Sequence, residues 1–214
     1  LSGYQSRPAE ATRVEAPLTA RALALGSHAD GPVVIVTAEV IAVSEAISEA
    51  VAAAVRANYP AVTRERIAVC ATHQHTGPAI AGTIPFMFSR DLPVDEQARI
   101  DRYTAKLQEK LIAVALAALA DRKPARLAWA QGKTDFAVNR RLIVDGKHTG
   151  YKATPGGPVD HALPVLRAVD EQGGVRAVLV NYACHCTTLK GGDNYVHPDW
   201  AGEAAKRIEG ANAG

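Results

Sequence analysis

The sequence has few aromatic residues, little sulfur and almost no excess charge. Phe, Trp and Tyr together make up 5% of the 214 residues, whereas 48% are hydrophobic. Its core must therefore be built mainly from aliphatic side chains, which fits an α/β protein with closely packed helices. The formal net charge of +2 and the absence of any run of Lys and Arg exclude nucleic acid as an expected partner.

Long hydrophobic runs and a leader segment are also missing. The most apolar stretch, residues 111–120, is too short to cross a bilayer. Residue 1 is Leu, and no basic segment followed by an apolar one precedes residues 2–4. We therefore expect that the chain has been trimmed at its front.

Cysteine is scarce, with only Cys70, Cys184 and Cys186. Three cysteines cannot all pair with one another, and Cys184 and Cys186 are too close to bridge on an extended strand. All three lie in or beside apolar runs, which favours buried thiols over metal ligands or a disulfide. Cysteine usage leaves the compartment open.

The periodicity of apolar residues predicts an alternation of hairpins and helices. Hairpins are expected over residues 18–36 and 163–183, single strands over 67–70 and 126–136, and irregular structure over 145–160. Ser44, Asp95 and Asp199 are expected to begin helices. The pattern predicts an α/β fold with a mixed β-sheet flanked by helices, in one domain spanning residues 1–214.

One long segment, residues 76–93, has no clean period but is rich in apolar side chains. Such a segment beside a polar site either lines a pocket for an apolar group or packs on the core. The sequence leaves both alternatives open. The apolar residues that raise the question are Ile80, Ile84, Pro85, Phe86, Met87 and Phe88.

The candidate functional residues are histidines at the ends of predicted strands. His73 and His75 directly follow one apolar run, and His185 follows another. Residues i and i+2 share a face in an extended segment, so His73 and His75 are expected to point the same way. If the two strand ends meet at one edge of a sheet, the three imidazoles form a site for a divalent metal.

A catalytic zinc takes three protein ligands and leaves one position for water. His73 and His185 are the ligand candidates, and His75 is either a third ligand or an acid–base group. Arg140 follows a predicted strand and offers donors for a developing oxyanion or a carboxylate. Histidines at strand ends also often bond only to loops, so the pattern alone does not decide for a metal. The other four histidines are expected to be solvated: His28, His148, His161 and His197.

These residues resemble motifs of the neutral/alkaline non-lysosomal ceramidase family and its bacterial members. Residues 72–78, Thr-His-Gln-His-Thr-Gly-Pro, are similar to the family's Thr-His-Thr-His-Ser-Gly-Pro signature. Residues 139–141 resemble its Asn-Arg segment, residues 181–187 its Ala-Cys-His-Pro-Thr stretch and residues 199–202 its Asp-x-x-Gly-Tyr-Ala motif. Weaker similarities occur at residues 3–4, 18–23 and 156–160. The resemblance covers nearly the whole chain, in the family's order.

The resemblance implies a zinc-dependent amidohydrolase that cleaves the amide of an N-acyl sphingoid base or a related N-acyl lipid. By motif, His73 and His185 match zinc ligands, whereas His75 and Arg140 match residues that act on the substrate and the transition state. The resemblance further implies a lipid-like substrate, contact with a membrane surface, and a secreted or periplasmic location.

Departures from the family pattern leave two alternatives. Gln74 replaces a threonine and Cys186 replaces a proline, and the family's remaining zinc ligands and serine motif lie downstream of this sequence. We therefore expect the chain to be the amino-terminal part of a larger catalytic domain. The alternatives are a metal-dependent hydrolase of another amide or ester, and a non-catalytic binding module derived from the fold.

Overall fold

The structure is a computed structural model that describes residues 1–4, 7, 10–84 and 91–212. The chain forms two compact units. The first comprises Leu1–Arg122 and Cys186–Ala211, and the second contains Lys123–His185. Of the apolar segment 76–93, Ile80 packs in the core of the first unit and Ile84 is exposed, whereas residues 85–90 lie outside the described residues. Core packing is therefore confirmed for Ile80, and a pocket for an apolar group stays a prediction.

The first unit is built on a three-stranded sheet of β1 (Ala20–Leu25), β2 (Val33–Ala38) and β3 (Ile67–Ala71). β1 and β2 are antiparallel, and β2 and β3 are parallel, so the sheet is mixed. The predicted first hairpin is therefore confirmed. With the helices below, the sheet also confirms the predicted α/β fold class with a mixed sheet.

Cys70 corrects the expectation of buried thiols. It is exposed, whereas Cys184 is half-buried and Cys186 is buried. Alternate residues of a strand face opposite sides of a sheet. Because Ile67 points into the core, Cys70 three residues later points to the other side.

Helix α1 (Glu45–Asn58) begins where the sequence predicts it. The Ser44 hydroxyl accepts a hydrogen bond from the Ile47 amide at 3.3 Å, which satisfies one of the donors at the helix start. The helix ends before Tyr59-Pro60, since the residue before proline avoids helical dihedrals. A short 3₁₀ helix (Arg64–Arg66) follows and leads into β3.

Helix α2 (Val94–Ala120) presents an i, i+4 stripe to the core of the first unit. The stripe meets the inward face of β2 and the buried side of α1. Apolar residues four positions apart lie on the same face of a helix, so this face of α2 is buried over several turns. The buried residues of the stripe are Leu107, Leu111, Ala115 and Leu119.

Replacing Leu111 by alanine is expected to lower the free energy of unfolding by about 2–5 kcal/mol. Leu111 is fully buried, so its loss removes apolar contacts and leaves a cavity. Urea denaturation measures the change. Leu127→Ala is the control, because that side chain is 53% exposed and should cost much less. Equal losses for both variants would contradict the assignment of Leu111 to the core.

The second unit contains two antiparallel sheets. β4 (Arg126–Lys133) is followed by a hairpin of β5 (Arg141–Val144) and β6 (Lys147–Tyr151). β7 (Ala162–Val169) and β8 (Val175–Val180) form the predicted second hairpin, and β7 pairs with both β4 and β8.

The β5–β6 hairpin was missed, since residues 145–160 were predicted to be irregular. Its turn is Asp145-Gly146, with φ of 50° and 74°. A two-residue hairpin turn with both φ positive matches the right-handed twist of its strands, and Asp-Gly is a preferred sequence for it. The signal was present in the sequence but was hidden by the neighbouring glycines and prolines.

Helix α3 (Asp199–Ala211) returns to the first unit. Asp199 is buried, and its carboxylate accepts hydrogen bonds from the amides of Trp200 at 2.6 Å and Leu189 at 3.1 Å, and from the Thr188 hydroxyl. It thereby joins the preceding loop to the helix start. Within the described residues, none of the helices combines the length and the apolar content of a membrane span.

Candidate metal centre

The histidine loop, residues 72–78, follows β3 in a conformation that the sequence did not predict. β3 ends at Ala71, and His73 has a φ of 59°. The left-handed region is uncommon for residues other than glycine, and such positions cluster at functional sites. The prediction that His73 and His75 lie on one face of an extended strand is therefore wrong in its geometry.

The two rings nevertheless contact each other. The ring centroids of His73 and His75 are 4.9 Å apart, and the planes meet at 85°. The turn at His73, rather than the period of a strand, brings these imidazoles together.

The chain after β2 holds His73 through its backbone and its side chain. The His73 amide donates to the Val40 carbonyl at 3.0 Å, and the Thr72 amide donates to the Ala38 carbonyl at 3.0 Å. The His73 Nδ1 lies 2.6 Å from the carbonyl oxygen of Ile41, which is buried. These bonds offset the cost of the left-handed backbone.

The same kind of bond fixes the protonated nitrogen in both rings. A carbonyl oxygen only accepts, so Nδ1 of His73 carries the proton toward Ile41. His75 Nδ1 lies 2.8 Å from the Gly3 carbonyl oxygen and carries its proton for the same reason. The lone pair of each neutral ring is then on Nε2, which is the arrangement found in metal-ligating histidines.

The N-terminal segment that surrounds His75 was not predicted as part of the site. The Ser2 amide donates to the Gly77 carbonyl at 2.8 Å, and an Arg7 guanidinium nitrogen donates to the His75 carbonyl at 3.1 Å. The Tyr4 ring centroid lies 5.1 Å from that of His75. Burial lowers the pKa of the Arg7 guanidinium, and the nearby Tyr4 and Asp193 oppose this shift.

Replacing Gly3 by alanine is expected to displace the His75 ring and to reduce turnover. A Cβ at Gly3 would meet the His75 Cβ at 2.6 Å, and Gly3 has a φ of 105° that other residues rarely adopt. For the action on substrate that the family resemblance implies for His75, we expect kcat of the full-length protein to fall at least about tenfold, because small misplacements of such a group are costly. Gly210→Ala in α3 is the control, since nothing lies within 4 Å of its added Cβ. Unchanged kinetics of Gly3→Ala would contradict a role for this contact.

His185 enters the site through the residue that follows it. Cys186 forms an isolated parallel bridge with Gln74, the residue between the two other histidines. One nitrogen each of His73, His75 and His185 lies within 4.8 Å of the others. The expectation that two strand ends meet at one edge of a single sheet is wrong, because β3 and β8 belong to different sheets.

Arg140 lies in the second unit, directly before β5, and is exposed. The backbone around it is held on both sides. The Lys152 amide donates to the Arg140 carbonyl at 2.9 Å, and the Thr154 amide donates to the Asn139 carbonyl at 2.8 Å. Its proposed action on the substrate stays a prediction.

Three of the remaining histidines are exposed, as predicted: His28, His148 and His161. His197 is not, since its side chain is only 19% exposed. Its Nδ1 accepts from the Asp199 amide at 3.0 Å, and its carbonyl accepts from the Thr76 hydroxyl at 2.7 Å. His197 therefore holds the loop before α3 against the histidine loop.

The three-histidine cluster suits a borderline divalent cation. Imidazole nitrogens are ligands that zinc prefers, and a three-ligand set leaves a position open. The hydrogen bonds from Nδ1 to backbone carbonyls orient two of the rings and leave Nε2 as the available ligand atom.

Comparison with known proteins finds a matching family model and solved structures with a similar fold. A family model described as "Neutral/alkaline non-lysosomal ceramidase, N-terminal" matches residues 1–214. No curated protein sequence matches. The fold is similar to a crystal structure of neutral ceramidase from Pseudomonas aeruginosa and to a structure described as ceramidase complexed with C2. Each has a TM-score of 0.75 and 20% sequence identity, with 97% of this chain covered and 32% of the other. This chain thus spans about a third of the length of those structures.

Proposed function

Because the chain belongs to the neutral/alkaline non-lysosomal ceramidase family, we propose that the protein containing it is a zinc-dependent hydrolase. Its proposed reaction is cleavage of the amide bond of an N-acyl sphingoid base such as ceramide. The observation that carries the proposal is the convergence of three histidine nitrogens within 4.8 Å. The family supports the substrate class, and the histidine cluster supports metal-dependent hydrolysis.

In this proposal His73 and His185 hold the zinc ion. His73 suits a ligand because its ring is fixed by the buried Ile41 carbonyl and its lone pair is on Nε2. His185 directly precedes the buried Cys186, whose bridge to Gln74 fixes the backbone there. Zinc, when bound, acts as a Lewis acid and lowers the pKa of a coordinated water to about 7.

His75 is proposed to move a proton. Its Nδ1 proton is held by the Gly3 carbonyl, so Nε2 is the atom that takes up a proton and returns it to the leaving amine. Contact with the Tyr4 ring and with His73 limits rotation of the imidazole.

Arg140 is proposed to donate hydrogen bonds to the oxygen on which negative charge develops. A guanidinium offers only donors and stays protonated, so it cannot serve as a ligand or a base. The backbone bonds on both sides of Arg140 fix the start of its side chain.

The family also supports proposals about the type of substrate, the location of the protein and its contact with a membrane. We propose a lipid-like substrate, a secreted or periplasmic location, and contact of the protein with the surface of the membrane that contains the substrate. No transmembrane segment is required for this, because peripheral contact suffices to reach a lipid in a bilayer.

The test is metal-dependent hydrolysis by the full-length protein that contains this chain. An N-acyl sphingosine should yield fatty acid and sphingosine in equal amounts, a chelator should abolish the reaction, and zinc should restore it. An O-acyl ester of similar chain length is the comparison substrate. Turnover of the ester alone would favour a different hydrolase, and binding without turnover would favour a non-catalytic module.

A further inference from the structure

Gln74, the residue between His73 and His75, has a fully buried side chain. Its exposed fraction is 0%, and it is among the largest fully buried side chains of the described residues. A buried amide is costly unless its donors and acceptor are paired. Its partners therefore show what the residue does.

The Gln74 amide connects the end of β2 to the histidine loop. Its Nε2 donates to the Glu39 carbonyl at 3.0 Å, and its Oε1 accepts from the Thr76 amide at 2.5 Å. With the bonds of Thr72 and His73 described above, each of the four successive carbonyls of residues 38–41 accepts a hydrogen bond from residues 72–74. In this series, the hydrogen bond to the Glu39 carbonyl comes from the side chain of Gln74.

Gly77 supplies the space that the Gln74 side chain occupies. A Cβ at Gly77 would lie 2.0 Å from the Gln74 Nε2. Gly77 is not in the left-handed region, so the requirement for glycine here is steric. Gln74 and Gly77 therefore form a matched pair inside the loop.

The backbone of Gln74 also connects the two chain segments that carry histidine. It bridges Cys186, whose neighbour is His185. One residue thus bonds to the segment after β2, to the histidine loop itself and to the segment after β8. The flanking His73 and His75 are less buried than Gln74, and their rings contact each other.

We propose that Gln74 is the positioning residue of the metal centre. Its amide fixes the turn that brings the Nε2 atoms of His73 and His75 together, and Gly77 is glycine because Gln74 fills the space above it. This proposal depends on the proposed function in one respect, namely that the histidine cluster binds a metal ion.

The first experiment replaces Gln74 by methionine in the full-length protein. Methionine has a similar length but bonds neither to the Glu39 carbonyl nor to the Thr76 amide. We expect the zinc dissociation constant to rise about 10–100-fold, as is typical when groups that orient metal ligands are lost. The absorption spectrum of the cobalt-substituted protein should also change, since it reports ligand geometry. Gln172→Met, at an exposed turn, is the matched control and should alter neither quantity.

The second experiment keeps the test valid if Gln74→Met lowers the folding yield. Gly77→Ala is expected to weaken zinc binding strongly when Gln74 is present, and much less in a Gln74→Ala background, because the clash with Nε2 is then gone. Such non-additivity is expected only for residues in contact. Thermal unfolding of the metal-free variants shows whether each is folded.

The outcomes separate this proposal from the proposed function. If the unsubstituted protein binds zinc and Gln74→Met binds it with the same affinity and cobalt spectrum, positioning by Gln74 is overturned while the metal centre stands. An equal cost of Gly77→Ala in both backgrounds overturns it as well. If the unsubstituted protein binds no zinc, the proposed function fails, and the positioning role fails with it.

Discussion

Replacing His73 by alanine is expected to remove the bound zinc and to abolish amide hydrolysis. His73 offers Nε2 as a ligand atom, and its ring is fixed by a 2.6 Å contact between Nδ1 and the Ile41 carbonyl. Loss of His73 removes one of the two proposed histidine ligands, and a catalytic zinc site commonly needs three protein ligands. His185→Ala should behave in the same way. Zinc per chain and the initial rate on an N-acyl sphingosine are the measurements.

His148→Ala is the matched control, because this histidine is exposed in β6 and is expected to influence neither quantity. Retention of one zinc per chain by both His73→Ala and His185→Ala would show that the ion is bound elsewhere. Loss of zinc from the control would show that the effect is not specific to the cluster.

Replacing His75 by alanine is expected to lower kcat by about 10²–10⁴-fold while zinc is retained, which is the range for loss of an acid–base group. His75 lies beside His73, and its Nδ1 is held by Gly3, so we propose its Nε2 for proton transfer rather than for coordination of the zinc. The measurements are kcat, KM and zinc content of each variant.

Arg140→Ala is the companion variant. It should cost about 10²–10³-fold in kcat with unchanged zinc, because it removes a donor and no ligand. If His75→Ala loses its zinc as fully as His73→Ala does, His75 is a third ligand and the acid–base role is wrong.

The elements that the sequence predicted well are those set by local chemistry. Ser44, the four-residue repeat of Ile47 and Val51, and the stop before Pro60 together determine α1. The two hairpins likewise follow from apolar runs separated by turn residues. The family was also predictable, because its motifs lie around the histidines in a fixed order and the family match covers the whole chain.

The features that could not be predicted depend on contacts between distant parts of the sequence. Nothing near His73 shows that it adopts a φ of 59°, since the compensating carbonyls lie more than 30 residues earlier. The Gly3 carbonyl that orients His75 is 72 residues away from it. Gln74 differs from the threonine of the family pattern, and the sequence alone does not show the buried partners of its side chain.

The β5–β6 hairpin is a different case. Its Asp145-Gly146 turn is visible in the sequence, but the glycines and prolines that follow it favour an irregular segment. The separation of β3 and β8 into two sheets was not visible, because strand pairing depends on the whole chain.

The central claim is that His73 and His185 share one zinc ion. Anomalous diffraction at the zinc edge, on crystals of the full-length protein loaded with zinc, tests it most directly. The account predicts a single strong peak about 2.0–2.1 Å from a nitrogen of each of these two histidines. A peak elsewhere in the protein, or His73 and His185 rings that do not approach a common peak, would contradict it.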